Sequence, residues 1–190
     1  MSEHDAQAIR AEALEALLIE QGLLTAAAVD DVIATYNDRV GPMNGARMVA
    51  RAWLDADFKA RMLADGSAAM AEFEFGSQQT EKLVVVENTP EVHNLVVCTL
   101  CSCYPWAVLG LPPKWYKDPA YRSRVVREPR RVLQEFGVQL DSATEVRVWD
   151  SSAEVRYLVL PQPPADSQGL DQAALAARVT RDAMIGVQLL

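Results

Sequence analysis

Apolar residues recur at helical spacing through the first third of the chain and give way to short β-branched runs near residue 82. Ile9, Ala13, Leu14, Leu17 and Leu18 form one amphipathic stripe, with Gly22 as a stop after it. Thr25 is placed to cap a second helix carrying Val29, Val32, Ile33 and Tyr36, which ends before Gly41-Pro42. A third helical stretch runs through Ala46, Val49, Ala50 and Trp53. Asp55 then caps a fourth, with Phe58, Met62 and Leu63, which Asp65-Gly66 terminates.

The runs LVVV and VHNLVV, separated by Asn88-Thr89-Pro90, read as two strands. Pro105, Pro112 and Pro113 make the next segment irregular, because each removes an amide donor and biases its predecessor away from the helical region. Pro119 starts a helix through Tyr121 and Val125, and Pro129 another through Leu133 and Phe136 to a stop at Gly137. EVRVW and EVRYLVL alternate in strand fashion across Asp150-Ser151-Ser152, which predicts a hairpin. PQPPADSQG, residues 161–169, predicts an exposed connection, and a last helix is expected from Leu170 to Met184. The pattern is that of an α+β chain, with a helical N-terminal arm over residues 1–42 and a domain over 43–190.

Composition narrows the setting. Half of the 190 residues are apolar and 23% are charged, which suits one core-forming domain with an extension. A formal net charge of −8 lacks the basic footprint of a nucleic-acid or anionic-membrane binder. No apolar run approaches the roughly 18 residues of a membrane span. The start, MSEHDAQAIRAEALEALL, is acidic and amphipathic rather than signal-like, so a cytoplasmic location is the default expectation.

The chemistry concentrates in one place. The chain has three cysteines, Cys98, Cys101 and Cys103, in C-x-x-C-x-C spacing. An odd, tightly clustered set is no disulfide framework and points instead to metal or redox chemistry. Zinc is one reading, but a closed zinc site needs four ligands. The other soft candidates are His4 and His93, and His93 lies within an apolar strand pattern where it would pack. Cys101-Ser102-Cys103 allows a different geometry, in which deprotonated backbone amides of residues 102 and 103 join the two flanking sulfurs in a plane. Cys98 then takes an axial position and leaves the opposite one open, as catalysis requires. Ionising amide nitrogen calls for a strong Lewis acid and hence a trivalent metal.

VCTLCSCYPW resembles the metal motif of nitrile hydratase α subunits. The resemblance continues through LGLPPKWYKDPAYRSRVVREPR, VWDSSAEVRYLVLPQ and VTRDAMIGV, and upstream through VGPMNGARMVARAWLDADFKARMLADG and VENTPEVHNLVVC, so that it covers nearly the whole chain. It implies that two sheets lie between helical layers, a four-layered α-β-β-α sandwich. It also implies Cys101 as a sulfinic acid, Cys103 as a sulfenic acid and Cys98 as a plain thiolate, with Ser102 giving an amide ligand and a loop hydrogen bond. Thr99 and Tyr104 resemble the cobalt type, so non-corrin Co(III) is expected, one ion per chain, with Fe(III) as the alternative. The implied reaction is hydration of a metal-polarised nitrile to an amide, attacked by water or, preferably, by the Cys103 sulfenate oxygen.

By the same resemblance Gln79 lines the substrate pocket and Trp106 forms a wall of it. Thr80, Gln78 and Val85 depart from the family pattern, where glycine, an apolar residue and tryptophan are usual, and so bear on the substrate range. A β subunit, or split β-like subunits, would supply arginines to the oxidised sulfurs, and a cobalt-insertion activator would load the site. Thiocyanate hydrolysis, whose metal subunit shares the cysteine motif, and a non-catalytic zinc or cobalt carrier are the competing readings. Arg124, Arg127, Arg130 and Arg131 are read as ion-pairing residues, and Asp150 and Glu154 as structural partners.

Overall fold

The computed structural model of the chain describes residues 3–35, 41–73, 75 and 81–190. Two compact units span residues 1–39 and 40–190. The first contains α1 (Glu3–Glu20) and α2 (Ala26–Ala34), with Gly22 at a φ of 69° in the turn between them. Thr25 caps α2 as its position predicts, its hydroxyl accepting from the Ala28 N–H at 3.1 Å. Ile9, Leu14, Leu17, Val32 and Ile33 are exposed. Tyr36, expected on the second stripe, lies outside the described residues.

In the second unit α3 (Gly41–Leu54) buries Ala46, Met48, Val49 and Ala50, and α4 (Ala56–Ala64) buries Phe58 and Met62. Asp55 caps α4 through the Phe58 N–H at 2.8 Å. Asp65-Gly66 was expected only to end that helix. Asp65 also accepts from the Ala68 N–H at 3.0 Å and so starts α5 (Gly66–Ala71).

Four strands follow the expected positions: β1 (Lys82–Glu87), β2 (Val92–Val97), β3 (Glu145–Asp150) and β4 (Val155–Leu160). Their pairing does not. The hairpin predicted for the last two is absent, because β3 pairs in parallel with β2 and β4 in parallel with β1, giving two two-stranded sheets. The turn at Ser151 carries the chain from one sheet to the other: the Ser151 N–H donates to the Val97 carbonyl at 2.7 Å, and the Lys82 N–H donates to the Glu154 carbonyl at 2.9 Å. Parallel strands buried on both faces read as nearly continuous apolar runs, which suits Leu95, Val96 and Val97 of β2 and Leu158, Val159 and Leu160 of β4, all buried.

The proline-rich stretch after the cysteines contains a short α6 (Trp106–Leu109) and a 3₁₀ turn at Lys114–Lys117. Pro119 and Pro129 open α7 (Pro119–Val125) and α8 (Pro129–Glu135) as expected. The last helix is divided into α9 (Gln172–Ala176) and α10 (Arg181–Ile185), because the Thr180 hydroxyl accepts from the Ala183 N–H at 3.1 Å and restarts the helix. Gly186 closes α10 at a φ of 96°, and a Cβ there would run into the Asn94 carbonyl. Residues 161–169 are mostly exposed, but Pro161 and Pro164 are buried, and the Pro161 carbonyl accepts from Trp53 Nε1 at 2.9 Å.

Candidate metal centre

Cys98 directly follows β2, beside the Val97 and Asp150 pair that ends the β2–β3 ladder. The loop therefore starts from a fixed strand end. Cys98 is 1% exposed, Cys103 is partly buried and Cys101 is exposed. The Cys101 sulfur lies 3.4 Å from that of Cys98 and 3.1 Å from that of Cys103, and all three lie within 4.8 Å of one another.

Side chains from three other elements hold the loop by its backbone. Asp150, at the end of β3, accepts from the Thr99 N–H at 2.9 Å and from its hydroxyl at 2.6 Å. Tyr116, in the 3₁₀ turn, donates its hydroxyl to the Cys103 carbonyl at 2.9 Å. Arg122, on α7, donates to the Cys101 carbonyl at 2.9 Å. These three contacts fix the chain path and use no sulfur, so the thiols stay available to a ligand. The Tyr121 hydroxyl, donating to the Val96 carbonyl at 2.7 Å, ties α7 to β2. Tyr104 stacks edge-on against Tyr116 with ring centroids 5.1 Å apart.

The thiols differ electrostatically. Hydrogen bonding with the Cys103 thiol, then with Cys98 and with the Cys103 and Ser102 backbone amides, holds the Cys101 pKa below its usual value against a burial effect that raises it. Burial pushes Cys103 up to about 12, helped by hydrogen bonding with Cys101 and opposed by the charge of Arg156. The same groups test the fit to a metal. Three sulfurs, those of Cys98, Cys101 and Cys103, converge in one small volume, and Ser102 lies between the last two in sequence. That donor set fits a metal ion.

Among the other predicted residues, Trp106 opens α6 three residues after Cys103 and is 41% exposed. Gln79 lies outside the described residues, as do Gln78 and Thr80. Val85 is 5% exposed within β1, against the start of α5. His93 packs as expected: Nε2 meets the Gly186 carbonyl at 2.7 Å and Nδ1 meets the Asn88 side-chain amide at 3.3 Å. The arginine cluster is internally engaged. Arg124 pairs with Glu128 and Glu135, Arg131 with Glu128, Arg127 with the Ser123 carbonyl, and Arg130 with the carbonyls of Asp141 and Thr144. Asp150 serves as the structural partner it was read to be.

Sequence reasoning missed Tyr116, Arg122 and Arg156. A pattern of spacing identifies the ligands on a loop, whereas these three come from 13 residues or more beyond Cys103, on elements that tertiary packing brings back towards the loop.

The family model for the nitrile hydratase alpha chain matches residues 5–188. The chain belongs to the nitrile hydratase alpha-chain family. The alpha subunit of the low-molecular weight cobalt-containing nitrile hydratase of Rhodococcus rhodochrous is 55% identical over 182 residues, covering 96% of this chain and 88% of that one. Thiocyanate hydrolase subunit gamma of Thiobacillus thioparus is 42% identical over 92% of this chain and 76% of its own length. The structure is similar to a double mutant of the Fe-type nitrile hydratase from Comamonas testosteroni Ni1, with a TM-score of 0.88 at 41% identity, covering 100% of this chain and 92% of that one. The cysteine cluster fits the metal-binding loop of the nitrile hydratase family.

Proposed function

We propose that this chain is the metal-holding subunit of a cobalt nitrile hydratase, which converts a nitrile to the corresponding carboxamide together with a second subunit. The observation that carries the reading is the convergence of Cys98, Cys101 and Cys103 within 4.8 Å on a loop that Asp150, Tyr116 and Arg122 clasp without using a sulfur. The three sulfurs and the amide nitrogens of Ser102 and Cys103 would hold a trivalent ion. Co(III) is preferred to Fe(III) because Thr99 and Tyr104 resemble the cobalt type and a relative named as cobalt-containing is 55% identical. When bound, such an ion supplies Lewis acidity that makes a nitrile carbon electrophilic.

The chain's own residues do the rest. Cys103, bearing one oxygen, presents a nucleophile beside the substrate, and Cys101, bearing two, is the second oxidised ligand. Trp106 offers an apolar face to the organic group of the nitrile, and Gln79 orients water or substrate. Asp150, Tyr116 and Arg122 keep the donors at their spacing, the role that outer-shell hydrogen bonds play in metal sites.

A β-type subunit, single or split, would complete the site and cover the exposed apolar residues of the arm over residues 1–42, and an activator protein would insert the cobalt. We also read the two sheets of the 43–190 domain as lying between two helical layers, as the family resemblance implies, and the enzyme as cytoplasmic, the default for its acidic, amphipathic start. Among the described residues no helix is long and apolar enough to cross a membrane.

The test is turnover by the complex co-expressed with its β-type partner and activator. Amide formation from a nitrile supports the assignment. Carbonyl sulfide released from thiocyanate, with no amide from any nitrile, would move the chain to the thiocyanate hydrolase branch. Zinc bound to unmodified cysteines, with neither activity, would make it a carrier.

A further inference from the structure

Arg156 is the one arginine of β4 and is 8% exposed. Its Nη2 donates to Glu81 at 2.8 Å, while Nε and Nη1 are fully buried and have no hydrogen-bond partner among the described residues. Buried, charged donors are normally satisfied, so two spare ones on a single guanidinium mark an acceptor that the unmodified chain does not supply.

The place of Arg156 indicates where that acceptor belongs. It pairs with Leu83 in the β1–β4 register, immediately after the turn whose first residue, Ser151, docks on the carbonyl of Val97, the residue before Cys98. The Arg156 charge acts on Cys103. Arg122 shows the contrasting use of an arginine at the same loop. Its Nη1 is spent on the Cys101 carbonyl, and a single nitrogen, Nε, is left buried without a partner. Arg122 is therefore a backbone clasp. Arg156 makes no hydrogen bond to the loop backbone among the described residues and keeps two buried donors, Nε and Nη1, open to an anionic acceptor.

We infer that Arg156 is a positioning residue, one of whose unpartnered guanidinium donors receives the oxygen carried by Cys103 in the mature loop, so that this chain holds that oxygen with its own arginine. The inference rests on the proposed function, since it requires Cys103 to be oxidised. Glu81 anchors Nη2 and leaves Nε and Nη1 for that contact. An unprotected sulfenate is readily lost to further oxidation or to reaction with thiols, so the contact both orients the nucleophile and keeps it at the one-oxygen stage.

The experiment compares wild type, Arg156→Met and Arg156→Lys in the complex co-expressed with its partners. It reads peptide mass at Cys103, metal content, the sulfur-to-metal absorption band and steady-state kinetics. In R156M the fraction of chains with a single oxygen on Cys103 should fall severalfold at unchanged metal content. The absorption band should shift, and kcat should drop by about 10-fold to 100-fold with KM changing less. R156K, which keeps the charge and one donor, should recover part of both the band position and kcat. Should R156M fail to assemble, R156K alone decides, through its band shift and its loss of one-oxygen Cys103. A wild-type-like mass, band and kcat in either assembled variant overturns the inference while leaving the proposed function standing. A wild-type complex with unmodified Cys103 overturns both.

Discussion

The two turns that carry the chain between its sheets lie at opposite ends of the strands and are built to opposite rules. At the end away from the cysteines, between β1 and β2, the polar groups close on one another. Asn88 Oδ1 accepts from the Asn94 N–H at 2.7 Å, Asn94 Nδ2 donates to the Glu87 carbonyl at 2.7 Å, and Trp149 Nε1 donates to Asn94 Oδ1 at 2.8 Å. His93 spends both ring nitrogens there. With its Nε2 proton on the Gly186 carbonyl, Nδ1 is left to accept from Asn88, so the ring is neutral and its tautomer is set. At the cysteine end, between β3 and β4, the carbonyls of the loop are clasped, yet buried donors on Arg122 and Arg156 and the Tyr104 hydroxyl have no hydrogen-bond partner among the described residues. A saturated network fixes a fold, and an unsaturated one beside three thiols waits for a ligand. A cleft of about 370 Å³ opens at the saturated end, lined by Thr89, Gln139, Asp141 and Gln188.

This contrast is broken most severely by Cys101→Ser. Cys101 is exposed and contributes no core packing, so the variant should fold and melt as wild type while metal content and turnover fall to background. Metal analysis beside a thermal melt checks it, and retention of stoichiometric metal would refute the ligand role. Gly186→Ala attacks the other end. A Cβ against the Asn94 carbonyl, at a positive φ, should cost about 2 kcal/mol or more in urea denaturation of the complex. The damage should be to stability, with metal affinity little altered in the fraction that folds.

Asp150→Asn sharpens the comparison. The amide can accept one of the two Thr99 hydrogen bonds, so metal affinity should fall about 10-fold while the urea midpoint moves little. Competition with a chelator measures the affinity. The smallest effect is at His93, whose pKa burial holds below its usual value although the Gly186 hydrogen bond opposes the shift. The unfolded chain then takes up the proton first, at about pH 6.5, so the contribution of His93 is complete above that value and is lost as the pH falls below it. A urea midpoint that declines from pH 7 to pH 5.5 in wild type and less steeply in His93→Gln would show this.

How much of this was legible depended on range. Capping by Thr25 and Asp55, the proline starts of α7 and α8 and the four strands follow from local pattern, and the ligand loop follows from three cysteines in six positions. The pairing of strands does not. Alternation marks EVRVW and EVRYLVL as strands, and a polar turn between them imitates a hairpin, but their partners are β2 and β1, more than 50 residues earlier. The outer parts of the site were hidden for the same reason. Tyr116, Arg122 and Arg156 have no motif and act on the loop only through the tertiary fold. Asp65 and Thr180 failed differently, since each caps a new helix where the sequence was read for an end or a continuation.

The central claim is that Cys98, Cys101, Ser102 and Cys103 form a metal site matured by oxidation. Metal content and peptide mass, measured together on the chain purified with its partners after co-expression, test it most directly. The account predicts one cobalt per chain, two added oxygens on Cys101, one on Cys103 and none on Cys98. Zinc, or no metal, with all three cysteines unmodified in a complex assembled with its activator would contradict it.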